Sequence, residues 1–162
     1  MKRRSVLMLT GMALLGLAIA SFPQVASAQS NPMIGTWKLN IDKSKFTPGA
    51  ALRSGTINSQ PDGQNIRNTA QAIDSQGNQT TTVFMHIYDG QPHPTTGASD
   101  FDASTYTRVD ANTVILGRFK AGKLVAVGTG VVTPDGKMLT FTTTGTGSTA
   151  ASATGITVWD KQ

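Results

Sequence analysis

"NPMIGTWKLNIDKSKF", residues 31–46, is the stretch on which the fold turns. Read two residues apart, Met33, Gly35, Trp37 and Leu39 fall on one face, and Ile34, Thr36, Lys38 and Asn40 on the other. That is the period of a strand. Asp42-Lys43-Ser44-Lys45 then reads as a tight turn, and Pro48-Gly49 as an irregular connection.

The same rhythm continues downstream. Strand-like runs at Leu52–Gln60, Asn65–Asp74 and Gln79–Tyr88 are closed by Pro61-Asp62-Gly63, by Ser75-Gln76-Gly77-Asn78 and by the segment Asp89–Gly97. In the first of these turns Gly63 is free to take a left-handed conformation. The Asp89–Gly97 segment, with two prolines and two glycines, is expected to be irregular. Further strands are expected at Phe101–Val109, Thr113–Lys120, Lys123–Thr133, Met138–Thr144 and Gly155–Lys161. Between the last two, Gly145–Thr154 is a mobile loop or a ragged hairpin. No segment carries a helical period of useful length. Consecutive hairpins make an antiparallel up-and-down meander, and a long meander closes on itself to remove its edges. The expected fold is therefore all-β, a barrel of about eight or nine strands, with a two-sheet sandwich as runner-up.

Upstream, residues 1–28 read as a signal peptide. Lys2, Arg3 and Arg4 precede an apolar run from Val6 to Ala20, and Ala26-Ser27-Ala28 offers a small-x-small cleavage site. The run is shorter than the roughly 20 apolar residues of a comfortable membrane span, so no integral membrane segment is expected after cleavage. Arg3-Arg4 also resembles a twin-arginine signal, but the ordinary secretory reading is preferred. The chain is expected to be periplasmic or secreted, as one domain over 29–162. No Cys follows the apolar run, which excludes a lipid-anchored lipoprotein.

Removing the signal leaves 11 basic against nine acidic residues, a net charge of +2. That is too little for a nucleic-acid partner, which is met by a clustered basic face. With no Cys, stability must come from packing. The 22 Thr and 15 Gly after residue 28 favour strands and turns over helices.

Gly35-Thr36-Trp37-Lys38-Leu39 resembles the Gly-x-Trp signature that opens the first strand of lipocalins, and the similar start of fatty-acid-binding proteins, together the calycins. The stretches Gly35–Phe46, Tyr88-Asp89-Gly90, Pro134-Asp135-Gly136-Lys137 and Val158–Gln162 resemble a family of uncharacterised secreted bacterial proteins. The resemblance implies a lipocalin-like barrel and carries no known activity. It also implies a structural part for Gly35 and Trp37, with the indole plugging the closed barrel end beneath a basic side chain, Arg118 or Arg108. Fatty-acid-binding proteins carry an Arg-x-Tyr pair on their last strand; the corresponding positions here look like Thr157 and Trp159.

The candidate ligand-binding residues are Phe84, His86, Tyr88, His93 and Arg118. In Thr82-Val83-Phe84-Met85-His86-Ile87-Tyr88, period two sets Thr82, Phe84, His86 and Tyr88 against a wholly apolar face of Val83, Met85 and Ile87. Facing inward, His86 could meet a ligand or a haem; facing outward, the preferred reading, it is an ordinary surface residue. One strand cannot settle its own orientation. His93 lies in the proline segment, whose loop is expected at the rim of the barrel mouth.

No metal or cofactor site is expected. Two His and no Cys or Glu fall short of a zinc set, and Asp100-Phe101-Asp102 alone does not make a calcium site. Gly145-Thr146-Gly147-Ser148-Thr149-Ala150 fits a dinucleotide pattern only formally, since a strand follows it. No nucleophile elbow or catalytic set is present, so a binding protein is expected rather than an enzyme. Its expected partner is a small hydrophobic ligand in the barrel lumen. Small residues such as Ala70, Ala72, Ala126 and Gly128 either leave a cavity or mark bends. The runner-up function is a non-enzymatic envelope or protein-interaction module with a filled barrel. A small enzyme using His86 with Tyr88 or an Asp comes third.

Overall fold

The computed structural model describes residues 31–162, so the expected signal segment lies outside the described residues. The chain forms ten strands: β1 (Gly35–Phe46), β2 (Leu52–Asp62), β3 (Asn65–Asp74), β4 (Gln79–His86), β5 (His93–Pro94), β6 (Ala103–Arg108), β7 (Thr113–Lys120), β8 (Lys123–Val132), β9 (Met138–Thr146) and β10 (Ala153–Lys161). They lie in one antiparallel sheet of order β4-β3-β2-β1-β10-β9-β8-β7-β6-β5. Every sequential neighbour is a hairpin partner except β4 and β5, and the first and last strands pair with each other. The all-β meander read from the sequence is therefore present, as a nearly closed barrel.

Closure is completed at a seam. Between β4 and the β5 segment, Val83 and Thr96 exchange both backbone hydrogen bonds, at 2.9 and 3.0 Å. Gly97 makes the close approach there. Its φ is +80°, and a Cβ would lie 1.8 Å from the Thr81 carbonyl oxygen, so only glycine fits. The Asp89–Gly97 segment, expected to be irregular, thus supplies a short strand on β6 and the bridge to β4. This raises the strand count to ten.

Asp42–Lys45 is not a turn. β1 runs through it to Phe46, and its pairing with β10 skips from Asn40↔Val158 to Lys45↔Ile156. Four residues bulge opposite one, and polar side chains repair the ladder. Ser44 Oγ accepts from the Val158 amide at 2.9 Å and donates to the Asn40 carbonyl at 2.7 Å. Turn-forming residues serve a bulge as readily as a hairpin. At Pro61-Asp62-Gly63 the strand also runs further than expected, and Asp62 pairs with Asn65 around Gly63-Gln64. Gly63 is left-handed, at φ +60°.

The interior has two halves. One is packed by Met33, Trp37, Ile66, Tyr106, Val114, Val132 and Leu139, all nearly inaccessible. Trp37 is fully buried, and its indole N–H donates to the Met33 carbonyl at 3.1 Å. The cation over its ring is Lys161, with Nζ 5.0 Å from the centroid, rather than Arg118 or Arg108. Gly35 makes room for it: its φ is +139°, and a Cβ would meet Lys161 Cε at 2.6 Å.

Candidate functional site

The other half of the interior holds a partly open cavity of about 130 Å³. Period two places its lining. On β3 the inward series Ile66, Asn68, Ala70, Ala72 passes from fully buried side chains to two alanines that leave space. On β4, Thr80, Thr82 and Phe84 line it, and β7 contributes Leu116 and Arg118. Leu52 and Ile57 on β2, Phe141 and Thr143 on β9, and Thr157 and Trp159 on β10 complete the wall. The Trp159 indole N–H donates to Thr157 Oγ1 at 3.0 Å, which fixes the ring against the cavity.

Two loops roof this space. Gly97, Ala98 and Ser99 approach from one side and Thr149, Ala150 and Ala151 from the other. Asp100 joins them. Its carboxylate accepts from the Ser148 and Thr149 amides at 2.8 and 3.0 Å, and from the hydroxyls of Thr149 and Ser152. Burial pushes the Asp100 carboxyl up, but those hydrogen bonds outweigh it and hold it below the usual carboxylate range.

A column of aromatic and cationic groups runs from the cavity into the packed half. The Arg118 guanidinium carbon lies 4.8 Å from the Phe101 ring centre, 5.4 Å from that of Phe84 and 5.7 Å from that of Tyr106. Its Nη1–H donates to Tyr106 Oη at 2.7 Å. Beyond Tyr106 the His86 ring follows, with centroids 4.0 Å apart, then Tyr88, over which Arg108 sits at 4.3 Å. His86 is 3 % exposed, and its Nε2 has no partner among the described residues. Desolvation, then the positive charges of Arg118 and Arg108, lower its pKa from 6.5 to about 3, so the imidazole is neutral.

Of the five candidate residues, the cavity brings together Phe84 and Arg118 and leaves out three. His86 faces inward, against the preferred reading, yet it belongs to the packed half. Its orientation is imposed by β3, since the pairs Ile66↔His86 and Asn68↔Phe84 put both on the inward face. Val83, Met85 and Ile87 are the half-buried outer residues. Tyr88 lies tilted beside His86, ring centroids 6.0 Å apart, off the cavity. His93 pairs with Asp89, Nε2 to Oδ2 at 2.9 Å, and from its loop only Gly97 reaches the lining.

Sequence reasoning missed Phe101, Phe141, Trp159 and the 149–151 turn as lining residues. Alternation with buried neighbours was the available signal for Phe141 and Trp159. Nothing comparable marks Phe101 or the turn, which reach the cavity through loops. Among the described residues no three His or Asp side chains cluster to hold a metal ion. No helix there is long and apolar enough to cross a membrane. No protein-family model matches the sequence, and neither does any curated protein.

Proposed function

We propose that the chain is an exported, lipocalin-like binding protein that holds one small, partly apolar molecule in the open half of its barrel. The observation that carries this reading is the cavity itself. Its volume of about 130 Å³ is close to that of an engineered apolar cavity that binds benzene in another protein. Its walls combine aromatic rings and alanines with a few hydroxyls and one cation, the composition of a small-molecule site. The packed half supplies a rigid base, and the Asp100-linked loops supply a roof. His86, the most plausible acid–base group by residue type, lies off the cavity and is held neutral, which favours binding over catalysis.

Native mass spectrometry of the mature protein, purified gently from the host's periplasm or medium, tests this directly. A reproducible adduct that is lost on denaturation establishes a carrier and gives its cargo mass. A bare mass, with no thermal shift across small aryl acids, alcohols and lipids, sinks the proposal.

A second reading is an interaction module, and one observation favours it. Ile115 of β7 and Val127 and Val131 of β8 are exposed on the outer face of adjacent strands, at 50, 45 and 41 %. Grouped exposed apolar residues are the mark of a contact surface. Co-purification of a stoichiometric protein partner that is lost in Val127→Asp would support it over the carrier.

A further inference from the structure

Arg118 is a buried cation without an anion. It is 6 % exposed and carries five N–H donors in a fixed fork. Among the described residues its side chain makes one hydrogen bond, from Nη1 to the Tyr106 hydroxyl, and Nε is buried with no partner. Among the described residues no carboxylate pairs with it. The ion pairs among the described residues are Lys43–Asp160 and His93–Asp89. Asp100 and Asp102 are committed elsewhere, Asp100 to the 148–152 turn and Asp102 to the Ala121 amide. The rings of Phe101, Phe84 and Tyr106 offset part of the desolvation cost through their π faces, but they leave Nε of the fork without an acceptor. The same side chain lines the cavity.

We infer that Arg118 anchors the carboxylate of a small aryl acid whose ring fills the cavity. This rests on the carrier reading and specifies its cargo. A planar fork matches a planar carboxylate, and a single guanidinium supplies the one charge that a monoanion needs. A dianionic phosphate would need further donors, and the groups measured against the guanidinium are the rings of Phe84, Phe101 and Tyr106. The cavity admits a benzene-sized body rather than a long alkyl chain. Phe101, Phe141 and Trp159 supply ring faces and edges for that body. Arg118 thus trades stability of the empty barrel for selection of an acid.

The test is calorimetric titration of the mature protein at pH 7 with phenylacetate and with phenylacetamide, its neutral counterpart of the same shape. In the wild type the acid binds about 10- to 100-fold more tightly than the amide, the range set by charged hydrogen bonds. In Arg118→Met the preference disappears, amide binding persists, and the empty protein melts at a higher temperature. Should the variant fail to fold, the wild-type comparison of acid with amide decides alone. Equal binding of the two by the wild type overturns the carboxylate anchor while leaving the carrier reading standing. Binding of neither overturns the inference, and an accompanying bare native mass would remove the carrier reading as well. A lowered melting temperature in Arg118→Met, with the acid preference intact, overturns it by making Arg118 purely structural.

Discussion

At neutral pH the His86 imidazole sits uncharged between Tyr106 and Tyr88, with the guanidinium groups of Arg118 and Arg108 as its charged neighbours. Its proton is bound more weakly in the folded protein, at about 3, than in the unfolded chain, at 6.5. The unfolded state therefore binds the extra proton first, and stability falls as pH drops from 6.5 towards 3. The loss reaches at most ~1.4 kcal/mol per pH unit for one such group. Because Nε2 has no partner and Nδ1 has only a long contact, 3.5 Å, with Tyr88 Oη, His86→Leu should be tolerated at pH 7. Relative to wild type it should gain about 2 kcal/mol at pH 5, where the wild-type penalty has grown. Urea denaturation at the two pH values measures this, and a pH-independent difference between the proteins would refute a buried neutral histidine. Trp37 has the opposite character, with its indole fully enclosed and its N–H satisfied. Trp37→Ala should cost about 3–5 kcal/mol, read as a drop in urea midpoint.

Among the elements, the seam and the roof are where the barrel is weakest. β4 meets the opposite edge through one bridge, and Gly97 beside it has no room for a methyl group. Gly97→Ala should destabilise by about 3 kcal/mol or more, by strain and by opening the seam, which chemical denaturation would show. The roof depends on Asp100. A carboxyl held low contributes its stability above the unfolded value and loses it as pH falls through the folded value, so the clasp is intact at pH 7 and released in acid. Asp100→Ala should speed amide exchange at Ser148 and Thr149 by about tenfold or more while exchange in β1 and β10 stays unchanged. Unaltered exchange at those two amides would show that the turn holds without the carboxylate. Neither device was legible in the sequence, because both depend on contacts between distant segments. In sequence, Asp100-Phe101-Asp102 reads only as two carboxylates short of a calcium site, and its partner at 148–152 falls in the Gly145–Thr154 tract, which reads as a mobile loop or a ragged hairpin. Strands were legible where alternation is sharp, as at Met33–Asn40 and Asn65–Asp74. The inward face of β4 was not, since its apolar side faces outward and its orientation is fixed by β3. Sequence shows Ala70, Ala72 and Gly128 alike as small; the fold separates the two alanines, which line the cavity, from Gly128, whose Cβ would strike the Thr142 carbonyl at 2.7 Å.

For the whole molecule, the two interior halves divide the work, and the division can be tested by changing volume in each. In the packed half Leu139 is 3 % exposed and off the cavity, and Leu139→Ala should cost about 2–5 kcal/mol, since removed methyls leave a void among neighbours that cannot collapse. The cavity half reverses the sign. Ala72 lines open space beside Thr80 and Thr82, so Ala72→Leu adds buried apolar surface with room to receive it. That variant should melt at a higher temperature than wild type when empty and lose the thermal shift produced by a cavity ligand such as phenylacetate. Stability gained at the expense of binding is the behaviour of a site kept open for function. If Ala72→Leu instead lowers the melting temperature and leaves the ligand shift intact, the space beside Ala72 is already committed to packing, and the barrel is better read as filled.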